Sequence, residues 1–321
     1  MGLKKWILLF GLVALLPWGF RLTSFADYLT YILVRMMILG LYAMSYDLIF
    51  GYGGIFSYGH ASFMGGGAYC VAILMVQLGL PIRDALPGIL LAVLSGIIIG
   101  WIMGFLSSRL GSPLAVFLVT FAVSEVLFLL VTADPLGITN GENGIARIPR
   151  ETIFGLVSIK SEINFYYLAL VVLCLSFLTL RMITRMPFGD TLQAIRENPQ
   201  RSLFLGYRIR RYRIAAFMIS GAFASMAGAL TALHERSVGP EMFSMLSSAE
   251  VFIYTVLGGP GTLVGPLVGA LIMVIIQEVL SDILHKWVIF FGLICIVLIM
   301  FLPKGLFPLF EWFRVGRTIS K

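Results

Sequence analysis

Charge is scarce in this chain. Only 12% of its 321 residues are Asp, Glu, Lys or Arg, against about 25% in ordinary soluble domains. Apolar residues make up 59%, and runs of the roughly 20 residues needed to cross a hydrocarbon core recur along the sequence. A soluble fold is excluded, and an all-α integral membrane protein is expected. Reactive groups are equally sparse. Cys70, Cys174 and Cys295 sit inside apolar runs without metal-ligand spacing, so they read as small buried hydrophobes. The three histidines, His60, His234 and His285, are far apart. The chain has no Gly-x-x-x-x-Gly-Lys-Ser/Thr loop, no His-Glu-x-x-His and no Gly-x-Ser-x-Gly. P-loop nucleotide hydrolysis is thereby excluded, and nothing points to an enzyme site, a metal or a resident cofactor. The net charge of +7 does not call for nucleic acid, because basic residues in short loops record cytoplasmic placement.

What is present is a series of spans. The apolar runs predict about ten, at 6–20, 28–50, 60–79, 86–107, 113–133, 164–180, 214–233, 247–258, 262–281 and 287–302. With the N-terminus inside, 15 of the 23 basic residues fall in inner segments and seven in outer ones, Arg35 lying within a span. That bias obeys the positive-inside rule and puts both termini in the cytoplasm. The first run follows Lys4 and Lys5 like a signal peptide but lacks a small-x-small cleavage site, so it reads as an uncleaved helix. The whole chain, 1–321, reads as one transmembrane domain, with a cytoplasmic loop at 181–213 and an external loop at 134–163 rich in turn formers.

Glycines punctuate the spans. Gly96, Gly100 and Gly104 form one small-xxx-small stripe and Gly261, Gly265 and Gly269 another, the spacing that lets helices approach closely in lipid. Residues 51–60 (GYGGIFSYGH) and 258–261 (GGPG) are glycine-rich turns on the same predicted side. Irregular backbone at membrane depth survives only inside protein or along a cavity. Ser57, Tyr58, His60 and Ser62 are therefore candidates for the lining of a translocation path, although a packing role for His60 stays open. Four acids fall in or near spans. Asp47 and Glu278 lie at span ends, where an interfacial role suffices. Glu250 falls in the eighth span, and Glu125 lies mid-span, where a charge is costly. Glu125 joins the candidate path, with Arg35 as its expected partner.

The loop at 181–213 holds eight arginines and two acids, +6 of the chain's +7. Asp190 is placed to cap a short helix with Gln193 in the capping-box position. Asn198 and Pro199 suit a stop and a restart, and a second short helix can end at Gly206. Ile195, Leu203, Phe204 and Leu205 then need cover, from the bundle itself or from a soluble partner. Residues 188–199 (FGDTLQAIRENP), followed by Gly206, resemble the coupling loop of permease subunits in bacterial branched-chain amino acid ABC importers. The stretches at 47–69, 139–145 and 257–269 match in order and spacing, so the resemblance covers roughly residues 40–302. It is closer to the "M" than to the "H" subunit. Ser202 and Leu203 depart from the pattern, where alanines are more usual.

The resemblance implies a type II ABC importer-like bundle in the bacterial inner membrane. It implies a heterodimer with a second permease, two ATPase subunits that use the ATP, and a periplasmic substrate-binding protein. Asp190, Leu192, Ala194, Ile195, Arg196, Glu197, Asn198, Pro199 and Gly206 would form the ATPase-coupling loop. Branched-chain amino acids are the first expected cargo, with urea, short amides, other amino acids or aromatic acids carried by close relatives. A proton-coupled secondary transporter using Glu125, or a purely structural subunit, are the competing readings.

Overall fold

The computed structural model describes residues 11, 13–17, 25–78, 84–283, 292 and 300. Ten helices follow in order among them: α1 Ala26–Asp47, α2 Ala61–Ala72, α3 Ala85–Ser107, α4 Pro113–Ala133, α5 Glu162–Arg185, α6 Pro187–Glu197, α7 Pro199–Phe204, α8 Ile209–Glu235, α9 Met245–Gly258 and α10 Val264–Ile283. Four two-residue strands, β1 Ile145–Ala146, β2 Thr152–Ile153, β3 Val157–Ser158 and β4 Ser237–Val238, lie in the loops.

Six helical stretches are long and apolar enough to cross a membrane, and two more, Ala61–Gln77 and Met245–Gly258, are apolar but shorter. These eight coincide with the second to ninth expected spans. The first and tenth, 6–20 and 287–302, lie largely outside the described residues. Among the described residues there are thus six full-length spans and two short apolar helices, and the count of ten is not tested beyond these eight.

Local chemistry sets the helix starts. Asp84 accepts a hydrogen bond from Leu86 N at 3.0 Å before α3. Ser112 accepts one from Ala115 N at 3.1 Å before α4, with Pro113 at the first helical position, where its missing N–H costs nothing. Helix α1 is the centre of the bundle, packed by α5, α8 and α10, and nearly every residue of its second half is buried. It runs on as a π-helical turn, Leu48–Tyr52, and the backbone then breaks before α2.

The most extensively packed helix pair is α3 against α8. A methyl group added at Gly96 would overlap the Gly221 carbonyl, at Gly100 the Phe217 carbonyl, and at Gly104 the Ile214 backbone. Backbone approach of this kind is what holds helices together where burial from water cannot. Gly265 and Gly269 do the same between α9 and α10, against the Gly258 and Tyr254 carbonyls. Gly261 does not continue that stripe. It precedes α10 and takes φ +82° in the turn, because Pro260 and two glycines break the helix before Val264.

At the end opposite the arginine loop, the segment between α4 and α5 is built rather than loose. Asp134, in the left-handed conformation at the end of α4, accepts hydrogen bonds from Ile138 N, Thr139 N and Asn140 N at 2.8–3.0 Å. The Thr139 amide foremost holds its carboxyl below the usual carboxylate range. Strands β1 and β4 pair antiparallel, Ile145 with Val238, tying this loop to the end of α8. Arg150 is buried, pairs with Glu162 and lies 4.9 Å over the Phe165 ring.

Candidate functional site

The arginine loop folds as two short helices. Helix α6 begins at Pro187 rather than at Asp190: Pro187 takes the first helical position and Met186 the N-cap, so Asp190 sits inside the first turn and caps nothing. The proline fixes φ at a helical value one turn ahead of the acid. Asn198 does cap α7, its Oδ1 accepting from Arg201 N at 2.9 Å, with Pro199 next. Gly206 follows at φ +87°. Ala194 is half-buried and Glu197 exposed. The apolar residues divide in two. Leu192 and Ile195 are 1% and 2% exposed, packed on the chain's own bundle, whereas Leu203, Phe204 and Leu205 are 61%, 89% and 68% exposed. The bundle therefore covers α6 and leaves α7 open.

Arg196 joins α6 to the membrane helices. Its guanidinium donates to the carbonyl of Gly51, in the π-helical turn that ends α1, and its aliphatic stem lies against Gly54. Gly54 holds φ +63°, a conformation that a side chain disfavours. One turn back in α1, Asp47 is fully buried. Its Oδ1 accepts from Gly261 N at 2.6 Å and its Oδ2 from Leu263 N at 2.9 Å. Gly261 and Leu263 both have positive φ, so one carboxyl group fixes the strained turn between α9 and α10. Space here is exhausted: a methyl at Gly51 would overlap both the Asp47 carboxyl and Gly261 N. Three segments that the sequence showed separately, the turn at 51–54, the turn at 258–261 and the loop helix, meet at one point.

Asp47 is the residue that sequence reading passed over. An acid at a span end needs no special account on its own. The available signal was its position four residues before one glycine-rich turn, with a second such turn on the same predicted side.

The candidate path residues separate. Ser57, His60 and Ser62 are enclosed and do not line an open path. His60 Nε2 lies 3.0 Å from Ser45 Oγ, and its ring stacks on Tyr42 at 5.2 Å. These contacts hold the ring inside the break between α1 and α2. Ser57 Oγ, His60 Nδ1 and Ser62 Oγ are nonetheless buried with no hydrogen-bond partner among the described residues. Tyr58 and Glu125 are half-buried. Tyr58 N donates to Thr120 Oγ1 at 3.0 Å, and its ring meets Phe117 at 5.1 Å and Phe121 at 6.4 Å, one turn before Glu125 on α4. The expected Arg35–Glu125 pair does not form. Helix α1 packs on α10, so Arg35 meets Glu278 at 3.6 Å, where Tyr28 also donates at 2.5 Å. Among the described residues no cluster of His, Cys, Asp and Glu is suited to a metal ion.

A family model described as the permease component of branched-chain amino acid transport systems matches residues 28–302. The High-affinity branched-chain amino acid transport system permease protein LivM of Escherichia coli (strain K12) is 30% identical over 95% of this chain and 75% of its own length. LivM of Salmonella typhimurium matches at the same identity and coverage. A probable branched-chain amino acid transport permease protein LivM of Methanocaldococcus jannaschii is 30% identical over 45% of the chain and 41% of its own. No solved structure matches. The matched span contains all three segments that converge on Arg196 and Asp47, and the chain belongs to the permease family of branched-chain amino acid transport systems, as an M-type subunit.

Proposed function

We propose that this chain is one of two permeases of an ATP-driven importer, and that α6 is the lever through which ATPase subunits move it. The observation that supports this most is the hydrogen-bonded series from α6 through Arg196 to Gly51, and through Asp47 to the turn before α10. A helix pushed from the cytoplasm would carry with it the break in α1 and the hinge between α9 and α10. Leu203, Phe204 and Leu205 on the open helix would lie under an ATPase, and the external loop would face the periplasmic binding protein. Asp190, Ala194 and Glu197 belong to the same docking face. This reading places both termini in the cytoplasm of a bacterial inner-membrane protein and leaves nucleotide chemistry to the partners.

The path for branched-chain amino acids, or for a related small polar solute such as urea, a short amide or an aromatic acid, is assigned to the face of α4 and the 53–60 break that carries Tyr58 and Glu125. A half-exposed acid at membrane depth is expensive unless it meets a partner or water, and Glu125 makes no hydrogen bond or ion pair among the described residues. The orphaned polar atoms of Ser57, His60 and Ser62 suit a segment that meets water when the bundle rearranges.

The same Glu125 is what favours the second reading, a proton-coupled carrier. Reconstitution separates them. The complete assembly in proteoliposomes is expected to accumulate a branched-chain amino acid only with ATP and binding protein. Uptake by this chain alone under a pH gradient, with no ATP requirement, would overturn the importer reading.

A further inference from the structure

A groove of about 460 Å³ opens at the foot of α8, between the start of α6 and the segment that leads into α8. Phe188, Tyr207 and Tyr212 form its wall, with Phe188 stacked on Tyr212 at 5.8 Å and Tyr207 edge-on to Tyr212 at 6.2 Å. Arg208 and Arg211 also line it, and both are exposed.

Some of the nearby arginines are committed elsewhere. Arg210 and Arg109 both lie over the Phe105 ring, at 4.7 and 4.2 Å. Arg196 is taken by Gly51. Arg208 and Arg211 make no ion pair among the described residues. Two uncommitted guanidiniums therefore converge on one concave site, and each presents a planar fork of donors that fits phosphate oxygens. The site lies at the first turn of a 27-residue apolar helix, where a spanning helix leaves hydrocarbon.

From this placement we propose that the groove holds the phosphate headgroup of an anionic phospholipid of the inner leaflet. An aromatic wall and a paired cationic rim at the end of a spanning helix match a phosphodiester held at the hydrocarbon boundary. A soluble phosphate would use the rim alone, and an acidic protein segment would leave the aromatic wall at the hydrocarbon boundary unexplained.

The test is binding of short-chain phosphatidylglycerol, against phosphatidylcholine, to the detergent-purified importer, read by native mass spectrometry. The double variant Arg208→Gln/Arg211→Gln is compared with the charge-matched Arg109→Gln/Arg210→Gln, and thermal midpoints show that both remain folded. The wild type is expected to prefer phosphatidylglycerol by about thirtyfold, the scale set by two arginines at an anionic surface. The first variant should lose that preference and the control should keep it. Equal loss in both variants would mean that only bulk charge matters and would overturn the site. So would inorganic phosphate displacing the lipid at similar concentration, which would identify a free anion as the ligand. Release of the ATPase subunits by the first variant with lipid binding unchanged would make the groove a protein-docking surface and equally overturn the proposal.

Discussion

Replacing Asp47 by alanine is expected to destabilise the protein by about 2–6 kcal/mol, the cost of leaving two buried donors unsatisfied. The carboxyl group is fully buried and is the acceptor for both Gly261 N and Leu263 N. Alanine leaves those two amides without acceptors in a dry site, and each carries a desolvation cost of about 1–3 kcal/mol. The turn they belong to cannot relax cheaply, since Gly261 and Leu263 are already at positive φ. Asp47→Asn should fall between, because its carbonyl oxygen can serve one amide while its NH2 group opposes the other. Denaturant unfolding in detergent measures both. A loss below about 1 kcal/mol for the alanine variant, typical of a surface change, would mean that Asp47 does not hold the turn.

Replacing Arg196 by alanine should act on coupling more than on folding. The helix keeps its own anchors: Leu192 and Ile195 stay buried, and Thr191 still bonds the Pro187 carbonyl at 2.7 Å. What is lost is the hydrogen bond from the guanidinium to Gly51, a charged donor of the class that contributes about 1.5–3 kcal/mol. Uptake per ATP hydrolysed is expected to fall by about ten- to a hundredfold, that energy expressed as an equilibrium shift, while the ATPase subunits remain bound and active. The swap Arg196→Glu with Glu197→Arg keeps composition and net charge, yet moves the guanidinium about 100° round the helix, away from Gly51. It should behave like the alanine variant. If the swap retained full uptake, net charge would suffice and the hydrogen bond would be incidental. Lysine at 196 would preserve charge without the planar fork and is expected to restore only part of the coupling.

How much of this was legible in the sequence follows from the range of each interaction. The short loop helices, with their Asn198 cap and the stop at Gly206, are written in local chemistry, and the structure bears out that pattern. The start of α6 was misplaced by four residues, because the cap falls at Met186 and a proline at the first helical position outweighed a well-placed aspartate. The spans were visible from composition, and the eighth, 247–258, was already short in the sequence. Helices Ala61–Gln77 and Met245–Gly258 fall short of a full crossing, a result of breaks at 53–60 and 259–263 that coincide with the glycine-rich turns. The partner of Arg35 was misassigned because two acids, Glu125 and Glu278, look alike in a list of residues. Which helix lies beside α1 decides between them, and that is set by glycine-mediated contacts spread over the bundle. Asp47 was missed for the same reason: its two partners lie more than 200 residues away.

The central claim is that the loop helices and the turn before α10 move as one body when ATPase subunits act on them. Spin labels at Gln200 on α7 and Pro260 in the turn, in a background without Cys70, Cys174 and Cys295, report that distance by pulsed electron resonance in the reconstituted importer. A second pair, Gln200 with Asn140 in the external loop, reports the rearrangement of the whole bundle. The account predicts that the Gln200–Pro260 distribution stays the same between nucleotide-free and ATP-bound states while the Gln200–Asn140 distribution shifts. A change in the Gln200–Pro260 distance on ATP binding, with Gln200–Asn140 unmoved, would contradict it.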